Sequence, residues 1–316
     1  MRRTPLTAGY RSPQMSLPPT EPHLIDKRAT RTSFSRAASD YDRSAVLQRE
    51  VGDRMAERLD YVRIEPSRLL DAGSGTGHGT LALAARYAKA QRIALDIAPA
   101  MLRTALAKEP GRWRSALGGR ARTLPVCGDL ERLPLASGSI DMVWSNLALQ
   151  WVNDLPAALG EFSRVTRPGG LVMFSTFGPD TLKELRMAFA QVDGYSHVSR
   201  FTDMHDIGDM LLAAGFVTPV VDMERITLTY PSLPELMRDL KAIGAHNATA
   251  GRRQGMMGRH AFDRVVAAYE RFRSDGRLPA TYEVVYGHAW RGEPRRTPDG
   301  HSIVRFERAR PGSGGG

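Results

Sequence analysis

Arg68-Leu69-Leu70-Asp71-Ala72-Gly73-Ser74-Gly75-Thr76-Gly77-His78-Gly79 is the stretch from which the fold can be read. An apolar pair leads into an acid, Asp71, and the acid leads into glycines at 73, 75, 77 and 79. A helix-patterned segment follows over residues 80–87. The order is strand, tight turn, helix. Glycine allows the backbone positive φ and lets a ligand come close to the main chain. The helix behind the turn offers free N–H groups in its first turn.

Two kinds of ligand compete for such a turn. A dinucleotide site wants G-x-G-x-x-G, and His78 stands where the third glycine belongs. Asp71 would also repel a diphosphate. An acid just before the glycines suits a cationic ligand, such as the amino group of S-adenosylmethionine. A plain strand-to-helix turn is the bland alternative.

Working outward, residues 92–97 form a short apolar strand ending in Asp96, and Pro99 opens a helix, as proline can at its first turn. An acid at the tip of the second strand of a doubly wound sheet faces the ligand and binds ribose hydroxyls. The other reading of Asp96 is a cap for the helix at Pro99. Residues 124–130 are a third strand and its exit, with Asp129 and Leu130 at the carboxyl end, where an acid accepts from the adenine amine. Residues 139–146 are a fourth strand, with Asn146 at its tip. Residues 156–164 read as a helix, 167–170 as a turn and 171–176 as a fifth strand. Strands alternating with helices of this length mean βαβ units and a parallel sheet.

Beyond residue 176 the pattern changes. Helices are expected from about 180 to 189, over 204–214, 233–245 and 261–272. Strands are expected over 217–230 and 280–290, with another short one over 301–309. The segments 177–200 and 231–279 exceed what a sheet connection needs, which predicts helical cover over the strand tips. Upstream, residues 33–59 show apolar spacing of three and four, a helix with one buried face. Tyr41 and Gln48 on it either pack or close over the glycine turn. Residues 1–30 read as a disordered extension, 31–310 as one domain with its core at about 65–180, and 311–316 as a flexible tail.

The chain has 316 residues, enough for one large domain. One cysteine, Cys127, excludes an internal disulfide. No secretory leader and no membrane span are expected, and a cytoplasmic location is the default. The net charge of +10 raises the question of nucleic acid. The excess sits at the ends, however, with nine basic against five acidic residues in 1–50 and six against three in 291–316. There is no polybasic run, so the expectation is no nucleic acid. An arginine-rich surface or an acidic partner remains.

The set Leu70 to Gly77, Leu95-Asp96-Ile97, Gly128-Asp129-Leu130 and Arg167-Pro168-Gly169-Gly170 resembles the motifs of seven-stranded S-adenosylmethionine-dependent methyltransferases. A narrower resemblance is carried by Ala37-Ala38-Ser39-Asp40-Tyr41, Leu47-Gln48, Leu133-Pro134-Leu135, the stretch from Trp144 to Trp151, that from Phe174 to Leu185, and Arg238-Asp239-Leu240-Lys241. These look like the malonyl-acyl-carrier-protein O-methyltransferases of biotin synthesis. That family turns the free carboxyl of a malonyl thioester into its methyl ester, so that fatty-acid synthase accepts it as a primer. Ser74 stands where the family most often has cysteine, and only a loop-shaping part is expected of it. Respiratory-complex assembly hydroxylases look similar around residues 180–186, 230–231 and 279–282, and a non-catalytic adenosylmethionine-binding assembly factor is a third possibility.

The resemblance implies an α/β fold, a doubly wound, mostly parallel seven-stranded Rossmann-like sheet with helical cover. It implies S-adenosylmethionine as methyl donor, held by Asp71, Gly73, Gly75, Gly77, Asp96, Ile97, Asp129, Leu130 and Asn146. The partner implied is an acyl carrier protein, or coenzyme A, bearing a malonyl group. A malonyl carboxylate is ionised near neutral pH, because carboxyl groups titrate at roughly 4, so neither a general base nor a metal is expected. A cation should recognise it; Arg238 and Lys241, three apart on one expected helix, come first and Arg200 second. Tyr41, Trp151 and Phe177 are candidate walls of the substrate pocket. Arg252, Arg253 and Arg259 are the expected basic rim.

Overall fold

The computed structural model describes residues 24–109, 122–195, 197–244, 255 and 257–293. Seven strands form one sheet: β1 (Arg68–Ala72), β2 (Gln91–Asp96), β3 (Thr123–Cys127), β4 (Ile140–Asn146), β5 (Thr166–Phe177), β6 (Phe216–Tyr230) and β7 (Leu278–Arg291). Their order is β3-β2-β1-β4-β5-β7-β6. The first five run parallel, while β7 pairs antiparallel with both β5 and β6. Strand order reverses between β1 and β4, which opens a crevice at their carboxyl ends. The sheet is the doubly wound, seven-stranded one expected. The short strand expected over 301–309 and the tail lie outside the described residues.

The central strands are apolar on both faces, so both faces must be covered. On one face Leu69, Met142, Trp144 and Met173 pack under α3 (Val46–Arg58), α4 (His78–Arg86) and α7 (Lys183–Ala190). On the other, Leu70, Val143, Val172 and Phe174 pack under α6 (Leu155–Val165) and α8 (Met204–Ala213). Burying side chains of this size stabilises by about 1.5–3 kcal/mol each. The remaining helices are α1 (Lys27–Ala37), α2 (Tyr41–Ser44), α5 (Pro99–Ala107), α9 (Leu233–Ala242) and α10 (Arg259–Glu270).

Three local expectations are corrected. Order begins inside the stretch 1–30: the backbone N–H of Ile25 donates to Asn153 Oδ1 at 2.6 Å, and Asp26 caps α1 through the N–H groups of Arg28 and Ala29. Residues 1–23 lie outside the described part. The helix expected over 33–59 is three helices, broken at residues 38–40 and at Ala45. The turn expected at 167–170 is a bulge at the start of β5. Thr166 pairs with Ile140 and Leu171 with Met142, and a Cβ on Gly170 would stand 2.8 Å from the Asp141 carbonyl oxygen.

Candidate functional site

The glycine turn is tied to the second strand. Backbone N–H groups of Gly73 and Ser74 both donate to the Leu95 carbonyl, at 2.8 and 2.9 Å. Gly73, Gly75 and Gly77 take φ of +81°, +52° and +86°, the region that glycine enters without strain. Their tasks differ. A Cβ on Gly73 would fall 2.3 Å from that of Ala148, and one on Gly77 would fall 2.8 Å from that of Ala105. Those two allow close packing. A Cβ on Gly75 would meet nothing within 4 Å, so this glycine borders open space.

The acids converge on that space. Asp96 Oδ2 accepts from the N–H of Gly75 at 2.9 Å and Oδ1 from that of Ala98 at 2.8 Å. Burial pushes its carboxyl up to about 6 against the pull of those two bonds. Asp71 is buried with Thr80 Oγ1 donating to its Oδ2 at 2.5 Å. Burial, joined by the nearby Asp96, pushes it up to about 7. Asp129 is held by Lys27 Nζ at 2.7 and 3.0 Å. Asn146 donates from Nδ2 to the Gln48 carbonyl at 2.8 Å and accepts from Ser175 Oγ at 2.7 Å.

A first cavity of about 1020 Å³, counting its open mouth, lies over the tips of β1, β2 and β4. Asp71, Gly73, Gly75, Asp96, Ile97, Asp129, Leu130 and Asn146 all line it. Gly77 does not; it is the cap of α4 and packs on α5. Other lining residues had no local signal. Gln48 Oε1, Ser74 Oγ and Trp144 Nε1 are buried there and, among the described residues, have no hydrogen-bond partner. Ser74, expected only to shape the loop, leaves its hydroxyl unpaired among the described residues on the cavity wall. The fourth glycine, Gly79, keeps the wall open: a Cβ there would stand 2.8 Å from Trp144 Nε1 and 3.3 Å from Asp71 Oδ2. Unpaired buried polar atoms cost free energy until a ligand satisfies them. Buried acids beside free donors and acceptors fit a ligand with the cationic and hydroxyl groups of S-adenosylmethionine.

A second cavity of about 1100 Å³ adjoins the first, sharing Phe34, Tyr41, Gln48, Leu147 and Trp151. The ring of Phe34 meets that of Trp151 edge to face at 5.1 Å. Burial and the neighbouring Asp96 raise the Tyr41 hydroxyl far above its usual range, so it stays a neutral phenol. The second cavity is mostly apolar. Phe177, Leu185, Phe189, Phe201, Met237 and Leu240 contribute. Its polar members are few. Gln150 donates to the Leu147 carbonyl at 2.7 Å, while its own buried Oε1 has no partner among the described residues. His197 stacks on Phe189 at 3.8 Å with Nε2 2.7 Å from Asp193 Oδ1. Lys241 stands at the edge of this cavity, exposed.

The other cations expected here lie elsewhere. On α9, Leu236 and Leu240 face inward, which turns Arg238 outward. It lines an outer groove that Lys241 also borders. Arg200 is exposed and lines a third cavity with Phe177 and Phe201, while its neighbours Ser199 and Phe201 also reach the second. Arg259 is exposed at the start of α10, while Arg252 and Arg253 lie outside the described residues. His205 Nδ1 lies 2.8 Å from Oδ1 of Asp203, the cap of α8. Among the described residues no group of three or more His, Cys, Asp or Glu is placed to hold a metal ion, and no helix is long and apolar enough to cross a membrane.

A polar, acid-lined cavity therefore meets an apolar one across Tyr41, Gln48 and Trp151. Such an arrangement can hold two reactants end to end and keep water from the junction.

Comparisons with known proteins agree in kind. A family profile described as "Methyltransferase domain" matches residues 70–174. The "Malonyl-[acyl-carrier protein] O-methyltransferase" of Laribacter hongkongensis is 63% identical over 292 residues, covering 91% of this chain and 98% of the relative. That of Gallionella capsiferriformans is 61% identical over 282 residues, 89% of this chain and 97% of the relative. Among solved structures, the YcgJ protein from Bacillus subtilis superposes with a TM-score of 0.54 at 16% identity, over 78% of this chain and 99% of that one. A Bacillus halodurans C-125 structure gives 0.54 at 18% identity, over 76% and 100%. The two structures bear on the fold alone.

Proposed function

The chain belongs to the malonyl-[acyl-carrier protein] O-methyltransferases, and on that premise we propose that its two joined cavities are a donor site and an acceptor site. The enzyme methylates the free carboxylate of a malonyl thioester carried by an acyl carrier protein, and the ester so made is the primer for biotin synthesis. When bound, S-adenosylmethionine supplies a sulfonium methyl group.

The chain's own residues bind and orient. Asp71 faces the donor's ammonium, Asp96 its ribose hydroxyls, and Asp129 and Leu130 its adenine. Gly75 leaves the main chain bare beside the donor. Gln48, Ser74 and Trp144 offer it the polar atoms that the protein leaves free. On the acceptor side, the apolar walls receive the thioester arm and Lys241 attracts the carboxylate at the rim. Tyr41, Gln48 and Trp151 fix the line between the two reacting atoms and exclude water, which is where the rate comes from when no proton must move. The carboxylate is already ionised, so no metal enters the proposal.

The observation that carries this reading is the shared wall: one cavity lined with acids, one apolar, with Tyr41, Gln48 and Trp151 common to both. Relatives at 57–63% identity carry the name malonyl-[acyl-carrier protein] O-methyltransferase, which favours this reading over the hydroxylase alternative. Two variants test the division. Asp96→Ala should weaken donor binding by calorimetry by about tenfold or more, as loss of a buried charged hydrogen-bond partner does, and leave KM for malonyl-carrier protein nearly unchanged at saturating donor. Lys241→Ala should raise that KM and leave donor affinity alone. If either variant disturbs both ligands equally, the division is wrong.

A further inference from the structure

Helices α1 and α9 leave an open groove between them, on the outer side of the acceptor cavity. Arg28 and Arg36 line it from α1, and Arg238 and Lys241 from α9. All four are exposed. Its two acids are engaged: Asp26 caps α1, and Asp40 Oδ1 lies 3.5 Å from Arg43 Nη1. Among the described residues none of the four cations makes an ion pair. Arg28 and Arg36 lie eight positions apart, just over two turns, so their Cα atoms are about 12 Å apart along one helix face.

The groove continues into the acceptor cavity. Lys241 lines both. Helix α1 gives Arg28 and Arg36 to the groove and Phe34 to the cavity. Ser33 Oγ, donating to the Gly244 carbonyl at 3.1 Å, closes the seam between α1 and the end of α9. A partner seated on the arginines would have the cavity mouth beside it, at Lys241.

We propose that this groove is the docking face for the carrier protein. An acidic helix of the carrier lies along Arg28, Arg36 and Arg238, and the malonyl-bearing arm turns past Lys241 into the acceptor cavity. The proposal rests on the reading that the acceptor is borne by a carrier protein, and it moves the basic rim from Arg259 to the α1–α9 groove. Exposed charges of this kind act on encounter and register and fade with salt.

The test compares the parent enzyme with Arg28→Glu/Arg36→Glu/Arg238→Glu. Binding of malonyl-loaded carrier protein is measured by calorimetry at low salt, and kcat/KM is measured with that substrate and with a small malonyl thioester. Reversing three charges should weaken carrier binding by about tenfold or more, while the small thioester keeps its kcat/KM within about twofold. Should the triple variant melt early, Arg28→Gln/Arg36→Gln must show a smaller loss with the same substrate preference. Unchanged carrier affinity overturns the proposal, as does an equal loss on both substrates or a loss as large from Arg259→Glu. A parent enzyme that binds the carrier through these arginines yet transfers no methyl would sink the reaction assignment and leave the docking face standing.

Discussion

At Asp71 a carboxyl group is buried with one hydroxyl donor, Thr80, and burial pushes it up to about 7. In the unfolded chain it titrates near 4, so between about pH 4 and 7 the folded state holds a proton that the unfolded state has lost. Its contribution to stability is thus present at low pH and is lost as pH rises through that window. Asp96, pushed up to about 6, adds a contribution of the same sign. A bound ammonium reverses the preference, because it favours the carboxylate, and binding then expels a proton. Donor affinity should therefore rise between about pH 5.5 and 7, and calorimetry in two buffers of different ionisation enthalpy should record proton release. Asp71→Asn should flatten this dependence and weaken binding by about tenfold or more. An affinity that ignores pH in this window would remove Asp71 from the ammonium site. The place of Asp71 at a strand tip was legible from its position before the glycines. Its titration was not, because burial is a property of the packed molecule.

At the scale of elements, the N-terminal helices roof the donor cavity through cross-links distant in sequence. Asp42 on α2 accepts from Thr76 Oγ1 at 2.6 Å and pairs with Lys108 Nζ at 2.5 Å. Burial works against ionisation of Asp42, but the bonds from Lys108 and Thr76 outweigh it and hold its carboxyl below the usual range. Lys27 ties α1 to Asp129 and Glu131. The apolar face of residues 33–59 was legible from its spacing. The breaks at 38–40 and at Ala45 were not: alanine, at 38 and 45, is the best helix former, and Ser39-Asp40, residue types that favour a helix start, sat inside an unbroken apolar spacing. Partly exposed ion pairs contribute only about 0–1 kcal/mol, so Asp42→Asn should barely move the melting temperature. It should instead speed hydrogen exchange across residues 27–58 and raise the rate of donor release in stopped flow. If exchange and release both match the parent, the Asp42 contacts do not hold the roof shut.

For the whole molecule, the alternation of apolar strands and helices made the sheet legible. The acids at 71, 96 and 129 could be placed at strand tips because a parallel sheet puts every such tip on one side. Which cation reaches the acceptor cavity was not legible. Arg238 and Lys241 share a helix and a spacing, and only the seating of α9 on Leu236 and Leu240 leaves Arg238 in the outer groove while Lys241 borders the cavity as well. Likewise Gln150 and His197 meet in one cavity from segments that carry no motif in common. The central claim is that two cavities join a sulfonium methyl group to a malonyl carboxylate. Its most direct measurement is transfer of labelled methyl from S-adenosylmethionine to carrier protein loaded with malonyl or with acetyl groups. Label should appear as a base-labile ester on the malonyl carrier and be absent from the acetyl carrier, which lacks the carboxylate. Equal labelling of both, or none on the malonyl carrier, would contradict the claim.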